Sequence, residues 1–335
     1  TLVLEKRQGI FLNEIDPKIK IIEYAPSNSK NKIQRKIINL IKRIKFTLKN
    51  KNKYDFSASF ATYSLPASFV ARTASKNCYL WGHADYLTLF DGNTEKMKEF
   101  FIERNYDKFK KIIFVSKEGK ESFIKVFPEM KEKTMICNNL IDADKILELS
   151  KEKIPEEDLL KINKLENTQK ETTTFINVGR HQEKQKKLSR LIEVATMLKK
   201  DNMNFKIIFI GDGPETEEYK KQVKNNQLEN NIIFLGKKQN PYPYFKIADC
   251  VVLTSDYEGY PVVFLESFIL EKPIITTKVS DYQEVENKYG FVTEKDTKDI
   301  YEKMKNFILN GFEIKEKFDY KKYNEEILKK IEDLI

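Results

Sequence analysis

Along the first half of the chain, short apolar runs alternate with stretches whose apolar residues recur at helical spacing, the pattern of parallel strands joined by crossover helices. Residues 1–4, 19–24, 56–60, 77–81, 111–115 and 134–137 are read as strands, and 66–74, 94–104 and 118–127 as helices. The second half repeats the alternation in cleaner form. Its strands are 174–178, 205–210, 232–235, 250–253 and 273–276, and 188–200 is its plainest helix. Between the halves the chain is dense in Lys and Glu, with Ile154, Leu159, Leu160, Ile162 and Leu165 among the charges, as in a charged helical connector. Residues 320–335 are amphipathic with no strand after them, which predicts a helix packing back across the two domains. The expected division is an α/β domain over 1–150, a connector over 151–172, a second α/β domain over 173–312 and the closing segment 313–335. There is no internal repeat.

Composition narrows the function. No stretch of the 335 residues approaches the ~18 apolar positions a spanning helix needs. Cys78, Cys137 and Cys250 stand singly in apolar surroundings without metal-ligand spacing, so buried, reduced thiols of a cytosolic protein are expected rather than disulfides. His83 and His181 are the only histidines, too few for a zinc site or a Ser-His-Asp relay. The net charge of +9 lies in the first half: residues 1–150 carry 28 Lys and Arg against 18 Asp and Glu, the remainder 32 against 33. The opening run Thr1-Leu2-Val3-Leu4 has neither an initiating Met nor a signal peptide, and the chain is expected to start inside a domain.

The most informative segment runs from Ser255 to Glu266 and follows the strand 250–253 directly. Gly259 lets backbone approach a ligand, and Pro261 suits a first helical position, where a missing N–H costs nothing. The free N–H groups of Val262 and Val263, with that of Tyr260, would then face an anion at the positive end of the helix dipole. Glu266 falls on the same helix face as Val262, while Glu258 stands in the loop before it. Carboxylates repel phosphate, so their natural partners are hydroxyls, and a nucleotide sugar offers two sets, on its hexose and on its ribose. Two solvated glutamates at a helix start are the plain alternative.

This segment resembles the Glu, seven residues, Glu motif of the retaining glycosyltransferases of family 4, and the resemblance extends over most of the chain. It implies the GT-B fold, two Rossmann-like domains with parallel sheets facing across a cleft. It also implies that Glu258 contacts the transferred sugar and Glu266 the ribose. Gly179-Arg180 after strand 174–178, with Lys186 before the helix at Leu188, matches the family's cation pair on the leaving diphosphate. The loop is one residue longer than the pattern, so Lys184 stays open beside Lys186, as does a merely basic surface loop. Gly211-Asp212-Gly213-Pro214-Glu215 and Gly236-Lys237 match the family in order, the latter where backbone holds the nucleotide base; ordinary turn chemistry also accounts for Asp212 and Glu215. Glu284 matches a family glutamate near the donor.

In the first half, Trp81-Gly82-His83-Ala84-Asp85 resembles the family's histidine turn, and His83 is open to a sugar hydroxyl or to a structural role. Ser116 and the stretch Asn138 to Asp142 match positions at strand ends, Ser116 equally as a helix cap. Asp142-Ala143-Asp144 has the form of a metal-binding Asp-x-Asp, but the second half already offers a metal-free diphosphate site, so no metal is expected. From Tyr24 to Tyr54 there are ten basic residues and no acidic one. Lys30, Lys32, Arg35, Lys36, Lys42, Arg43, Lys45 and Lys49 interleave there with Ile33, Ile37, Leu40, Ile41, Ile44 and Leu48 at helical spacing. That describes an amphipathic helix on an anionic membrane, each cation contributing ~1 kcal/mol. A core-facing helix with a solvated basic face and a nucleic-acid surface are the alternatives, and nothing here resembles an aromatic-bearing nucleic-acid platform.

The resemblance therefore implies transfer of a hexose or hexosamine from a nucleoside diphosphate, with uridine as its base, to a saccharide acceptor, with retention and with no cofactor. A lipid-linked acceptor in cell-surface polysaccharide synthesis, at the inner face of the plasma membrane, fits the basic helix. Transfer to a protein hydroxyl, or nucleotide-sugar binding without turnover, are the alternatives. The chain departs from the family in lacking the usual first strand and Gly-rich loop, since no two of its eleven glycines are adjacent.

Overall fold

Six parallel strands with near-continuous apolar sequence form the sheet of the larger half, as expected of strands covered on both faces by helices. They are β7 (Thr173–Val178), β8 (Phe205–Ile210), β9 (Ile232–Gly236), β10 (Cys250–Leu253), β11 (Ile274–Thr277) and β12 (Gly290–Thr293), in the order β12-β11-β10-β7-β8-β9. The computed structural model describes residues 1–163 and 172–335. Part of the expected charged connector, with Leu165, lies outside them.

The smaller half holds two parallel sheets. β1 (Leu2–Leu4) pairs with β2 (Ile21–Glu23), while β3 (Ser57–Ser59), β4 (Cys78–Gly82), β5 (Lys111–Phe114) and β6 (Thr134–Ile136) follow one another in a second sheet. Between these strands run α1 (Lys32–Asn50), α2 (Leu65–Ala74), α3 (Tyr86–Leu89), α4 (Thr94–Glu103) and α5 (Lys117–Val126). The core is built on one sheet face from Leu80, Ile112 and Phe114 against Met97, Phe101, Phe123 and Phe127.

Both halves are thus Rossmann-like α/β units. The first takes Thr1–Asn138 with Lys329–Ile335 and the second Asn139–Leu328, so the division falls earlier than the boundary read near residue 150. The physical reason is that α6 (Ala143–Leu149) packs on α11 (Tyr242–Ile247) and α12 (Val262–Ile269) of the second unit. α7 (Glu156–Asn163) follows α6 and packs against β9. The remaining helices of the second unit are α8 (Glu183–Lys186), α9 (Leu188–Lys200), α10 (Thr216–Asn225) and α13 (Thr297–Asn310). α9 and α13 cover one sheet face, burying Leu191, Ala195, Leu198, Met304 and Phe307 against Phe175, Phe209 and Val252.

Strand boundaries agree with the sequence reading to within a residue or two, with one strand missed and one ending misplaced. β12 escaped because Gly290-Phe291-Val292-Thr293 is a four-residue edge strand among charges, and Gly290 is required there: a Cβ would stand 1.8 Å from the Ile274 carbonyl oxygen. The final helix, α14 (Tyr320–Glu332), stops short of the predicted end. Its Tyr323 hydroxyl donates to the Asn139 carbonyl and Asn324 bonds both backbone groups of Ile141, while Leu334 beyond it accepts from Tyr79. All three cysteines are buried and free.

Candidate functional site

The strand order of the second unit reverses between β7 and β10, neighbours from which the connecting segments leave toward opposite sides of the sheet. In an open α/β sheet the crevice beyond the carboxyl ends of such a pair is where ligands bind. The candidate residues cluster there: Gly179 and Arg180 follow β7, and Ser255 to Pro261 follow β10. Asn177 Nδ2 donates to the Val252 carbonyl at 2.8 Å, tying the two strands just before the crevice.

How Lys186 reaches the crevice can be followed bond by bond. α8 ends at Lys187, whose φ of 50° is left-handed, a conformation costing about 1–2 kcal/mol for a residue with a side chain. Thr254 holds it, its Oγ1 donating between the carbonyls of Lys186 and Lys187 at 3.0 and 3.1 Å. Arg190, in the first turn of α9, donates to the Thr254 carbonyl and pairs with Asp256 at 2.9 Å, and the Asp256 N–H donates to the Gln185 carbonyl. Fixed in this way, Lys186 Nζ stands 2.7 Å from Glu258 Oε1, and Gln185 Nε2 donates to Glu258 Oε2 at 3.1 Å. The Lys186 side chain also lies over Gly179, where a Cβ would meet Cε at 3.5 Å. Lys186 is therefore the lysine brought to the glutamate, while Lys184 and Arg180 are exposed. Arg180 stands beside Gly179 and makes no ion pair among the described residues.

One detail of the sequence reading changes: Pro261 is the N-cap of α12, not its first helical residue, and the helix begins at Val262. The cap has extended dihedrals and no side-chain bond, so the N–H groups of Val262 and Val263 stay available at the positive end of the helix. Glu258 and Tyr260 are buried and Val262 is exposed. Ser280 Oγ donates to the Gly259 carbonyl at 2.5 Å, which holds the loop that carries them.

Glu266 lies one turn into α12. Burial pushes its carboxyl above the usual range, against a 3.1 Å bond from the Tyr242 hydroxyl. Glu284 is likewise raised by burial, and Tyr260 donates to its Oε2 at 2.5 Å. The sequence offered no signal for Gln185, Tyr242 or the Arg190–Asp256 pair, because each acts across more than twenty positions of chain.

Three glycines stand in a row at the ends of β7, β8 and β9. The Gly179 N–H donates to the Ile210 carbonyl and that of Gly211 to the Gly236 carbonyl, at 2.9 and 3.0 Å. Gly211 has φ 144°, and a Cβ there would fall 1.8 Å from the Gly179 oxygen. Asp212 and Thr216 close the following turn, as turn chemistry suggested. His181 lies buried beneath it, Nδ1 2.9 Å from Thr216 Oγ1 and Nε2 without a partner. Lys237 is exposed; its neighbour Lys238 is the anchored one, Nζ 2.6 Å from the fully buried Asp158 of α7, which also accepts from Tyr244.

The other candidates belong to the first unit. His83 follows β4 with its ring edge-on to Phe60, centroids 4.4 Å apart; its Nε2 is buried and unpartnered, and burial lowers its pKa. Ser116 is the N-cap of α5, accepting from Gly119. In the second unit Asp142 caps α6 and Asp144 accepts from Tyr320, so both carboxylates have local work. Lys32, Arg35, Lys36, Arg43, Lys45 and Lys49 are exposed on α1, Lys42 is half-buried with its Nζ donating to the Ala25 carbonyl, and Lys30 precedes the helix.

Residues 160–325 match the family described as Glycosyl transferases group 1. An uncharacterized glycosyltransferase of Methanocaldococcus jannaschii is 31% identical over 166 residues, 50% of this chain and 39% of the relative. The N-acetylgalactosamine-N,N'-diacetylbacillosaminyl-diphospho-undecaprenol 4-alpha-N-acetylgalactosaminyltransferase of Campylobacter jejuni is 26% identical over 181 residues, 54% of this chain and 45% of the relative. The chain thus spans less than half the length of these curated relatives. Anabaena HepE, solved in complex with UDP and glucose, superposes with a TM-score of 0.72 at 17% identity, over 94% of this chain and 86% of that one. At that identity the likeness is one of fold.

Proposed function

We propose that this chain is a retaining glycosyltransferase that moves a hexose or hexosamine from a uridine diphosphate sugar to a saccharide acceptor. The observation that carries the reading is the meeting of Lys186 and Glu258 at the β7–β10 switch point, beside an uncapped helix N-terminus. Cation, carboxylate and free N–H groups converge there, the set a diphosphate and a sugar require together. The match to Glycosyl transferases group 1 and the UDP bound by Anabaena HepE support the donor class.

In this reading the diphosphate lies against the N–H groups of Val262 and Val263. Lys186 and Arg180 offset the charge that builds on it as the bond between the anomeric carbon and the phosphate oxygen breaks. Glu258 holds sugar hydroxyls, Glu266 the ribose diol, and Gly236 and Lys237 the base. Gly179 and Gly211 leave room for backbone to approach the phosphates, and Glu284 steadies the loop through Tyr260. The unpartnered Nε2 of His83 can hydrogen-bond a sugar hydroxyl. The acceptor oxygen adds on the face the phosphate leaves, and the departing phosphate oxygen takes its proton, so retention needs no protein base. The two cations and the helix start perform the task a divalent metal performs elsewhere, and no metal or other cofactor is assigned. The undecaprenol-linked substrate named for the Campylobacter relative supports a lipid-linked acceptor, and with the basic helix α1 the proposal extends to cell-surface glycan synthesis at the cytoplasmic face of the membrane.

The test is release of free uridine diphosphate from a panel of UDP-sugars, by wild type and by Glu258→Ala, with the product's anomeric configuration read by NMR. Release by wild type and its loss in the variant, with an α-linked product from an α-linked donor, is the expected result. Binding of UDP-sugar without release would leave a binding protein instead. Inversion would remove the mechanism.

A further inference from the structure

We propose that the loop from Phe60 to Ser64 is a stacking platform for a saccharide, with Phe60 and Tyr63 as the rings on which the acceptor lies. The loop leaves β3 at its carboxyl end, next to the end of the neighbouring strand β4 that carries His83. That edge of a parallel α/β sheet is where ligands bind. Phe60 is 61% exposed and Tyr63 80%. Two large aromatic side chains within four residues of each other thus face water.

The backbone that presents them is firmly held. Arg104, which follows α4 and is buried, donates from Nε to the Thr62 carbonyl at 2.7 Å and from Nη2 to the Tyr63 carbonyl at 3.1 Å. Its Nη1 donates to the Phe100 carbonyl at 2.6 Å, and the guanidinium lies 3.4 Å over the Phe100 ring. The Thr62 hydroxyl donates to the Trp81 carbonyl of β4. A buried guanidinium is tolerated only with its donors engaged, and here two of the engaged carbonyls belong to this loop. A loop fixed before any ligand arrives loses little freedom on binding.

The surroundings identify the ligand. No residue from Phe60 to Ala71 is charged, and the Ser64 hydroxyl donates to the carboxylate of Glu5, which lines the same cavity as Phe60. A phosphate would meet that carboxylate and find no cation in the loop, which disfavours nucleic acid and anionic headgroups. A pyranose fits both features. The C–H groups on one of its faces pack on the negative face of an aromatic ring, and its hydroxyls can donate to a carboxylate. Phe60 also stands edge-on to His83, ring centroids 4.4 Å apart, so the platform adjoins a residue already given a sugar hydroxyl. Its role as the acceptor site rests on the transferase reading, whereas saccharide binding by itself does not.

The experiment is saturation-transfer NMR of the full chain with the methyl α- and β-glycosides of glucose, galactose, N-acetylglucosamine and N-acetylgalactosamine. Wild type should bind at least one of them, with saturation strongest on the C–H protons of one sugar face. Phe60→Ala and Tyr63→Ala should each raise the dissociation constant for that glycoside about tenfold, and Tyr63→Phe should bind like wild type because the ring, not the hydroxyl, makes the contact. The alanine variants should keep the wild-type melting temperature, since both rings face solvent. Absence of binding by wild type, alanine variants that bind as tightly as wild type, or a Tyr63→Phe variant as weak as Tyr63→Ala would each overturn the platform. So would wild type that ignores the glycosides but self-associates, dissociating on Tyr63→Ala; the rings would then cover a second copy. Calorimetry of wild type with uridine diphosphate reports the donor reading separately: glycoside binding without nucleotide binding would remove the transferase and leave the platform standing.

Discussion

Lys186 Nζ lies 2.7 Å from Glu258 Oε1, joining the end of α8 to the loop after β10 across the strand pair at which the sheet order reverses. Both side chains are largely shielded from water, so the pair is more than a surface contact. Without ligand each neutralises the other. A diphosphate would compete for the lysine and leave the glutamate to sugar hydroxyls.

Removing either partner should therefore be costly twice. Lys186→Met or Glu258→Gln should lower kcat by about 10²–10³-fold, the range seen when one charge-stabilising group is lost. Each should also destabilise the fold by about 1–3 kcal/mol, because the remaining charge is left shielded and unpaired. Lys186→Met combined with Glu258→Gln should recover part of that stability and none of the turnover. Denaturant unfolding and initial rates over the four proteins of this cycle check it; additive stability losses would show that the pair is not coupled.

Gly211 and Gly236 both have positive φ, yet their substitutions should differ. A Cβ at Gly211 would fall on the Gly179 carbonyl oxygen, whereas a Cβ at Gly236 meets nothing within 4 Å. Gly236→Ala should cost about 1–2 kcal/mol, the left-handed conformation alone. Gly211→Ala should cost more than this, or displace the end of β7 and raise KM for the donor. Thermal melts and donor KM values for the two variants separate the cases.

His181 is fully buried and its pKa is lowered, chiefly by burial, with Asp212 opposing and Lys220 assisting. The folded state therefore keeps it neutral where the unfolded chain, at an ordinary value of about 6.5, already binds a proton. Stability is full above about pH 6.5 and falls as pH drops below it, until the lower folded value is passed. His181→Gln should flatten this dependence, leaving a smaller stability difference between roughly pH 7.5 and 5.5. Urea unfolding at the two pH values measures it, with the His83 contribution, of the same sign, present in both proteins.

Asp158 anchors Lys238 and Tyr244 from a site with no solvent exposure. Burial acts to raise its pKa, but the bonds from Lys238 and Tyr244 outweigh it and the carboxyl is lowered. Its contribution is thus present above the unfolded value of about 3.9 and lost as pH falls through the lower folded one. Asp158→Ala should destabilise by about 3–5 kcal/mol, and adding Lys238→Met should restore a substantial part. Calorimetry of the single and double variants tests both statements.

The sequence by itself determined the elements and the chemistry they could carry. β8, β10 and α9 fall where apolar periodicity put them, because fully buried strands and a two-sided helix leave unambiguous local patterns. Glu258, Glu266, Arg180 and Lys186 could be nominated as candidates because each follows a strand end or stands on a helix face at fixed spacing. α1 was legible as a helix too, since its apolar residues recur at helical spacing among seven cations and no acid. What only the tertiary structure decided was convergence. That Lys186 rather than Lys184 meets Glu258 depends on Thr254 and Arg190 holding the turn at Lys187, bonds that reach across more than sixty residues. Gln185 and Tyr242 joined the site, and Asp158 and Lys238 formed their buried pair, by the same route. Local spacing specifies which face a side chain takes within its own element. Which elements become neighbours is set by sheet order, and the reversal between β7 and β10 exists only once all six strands have paired.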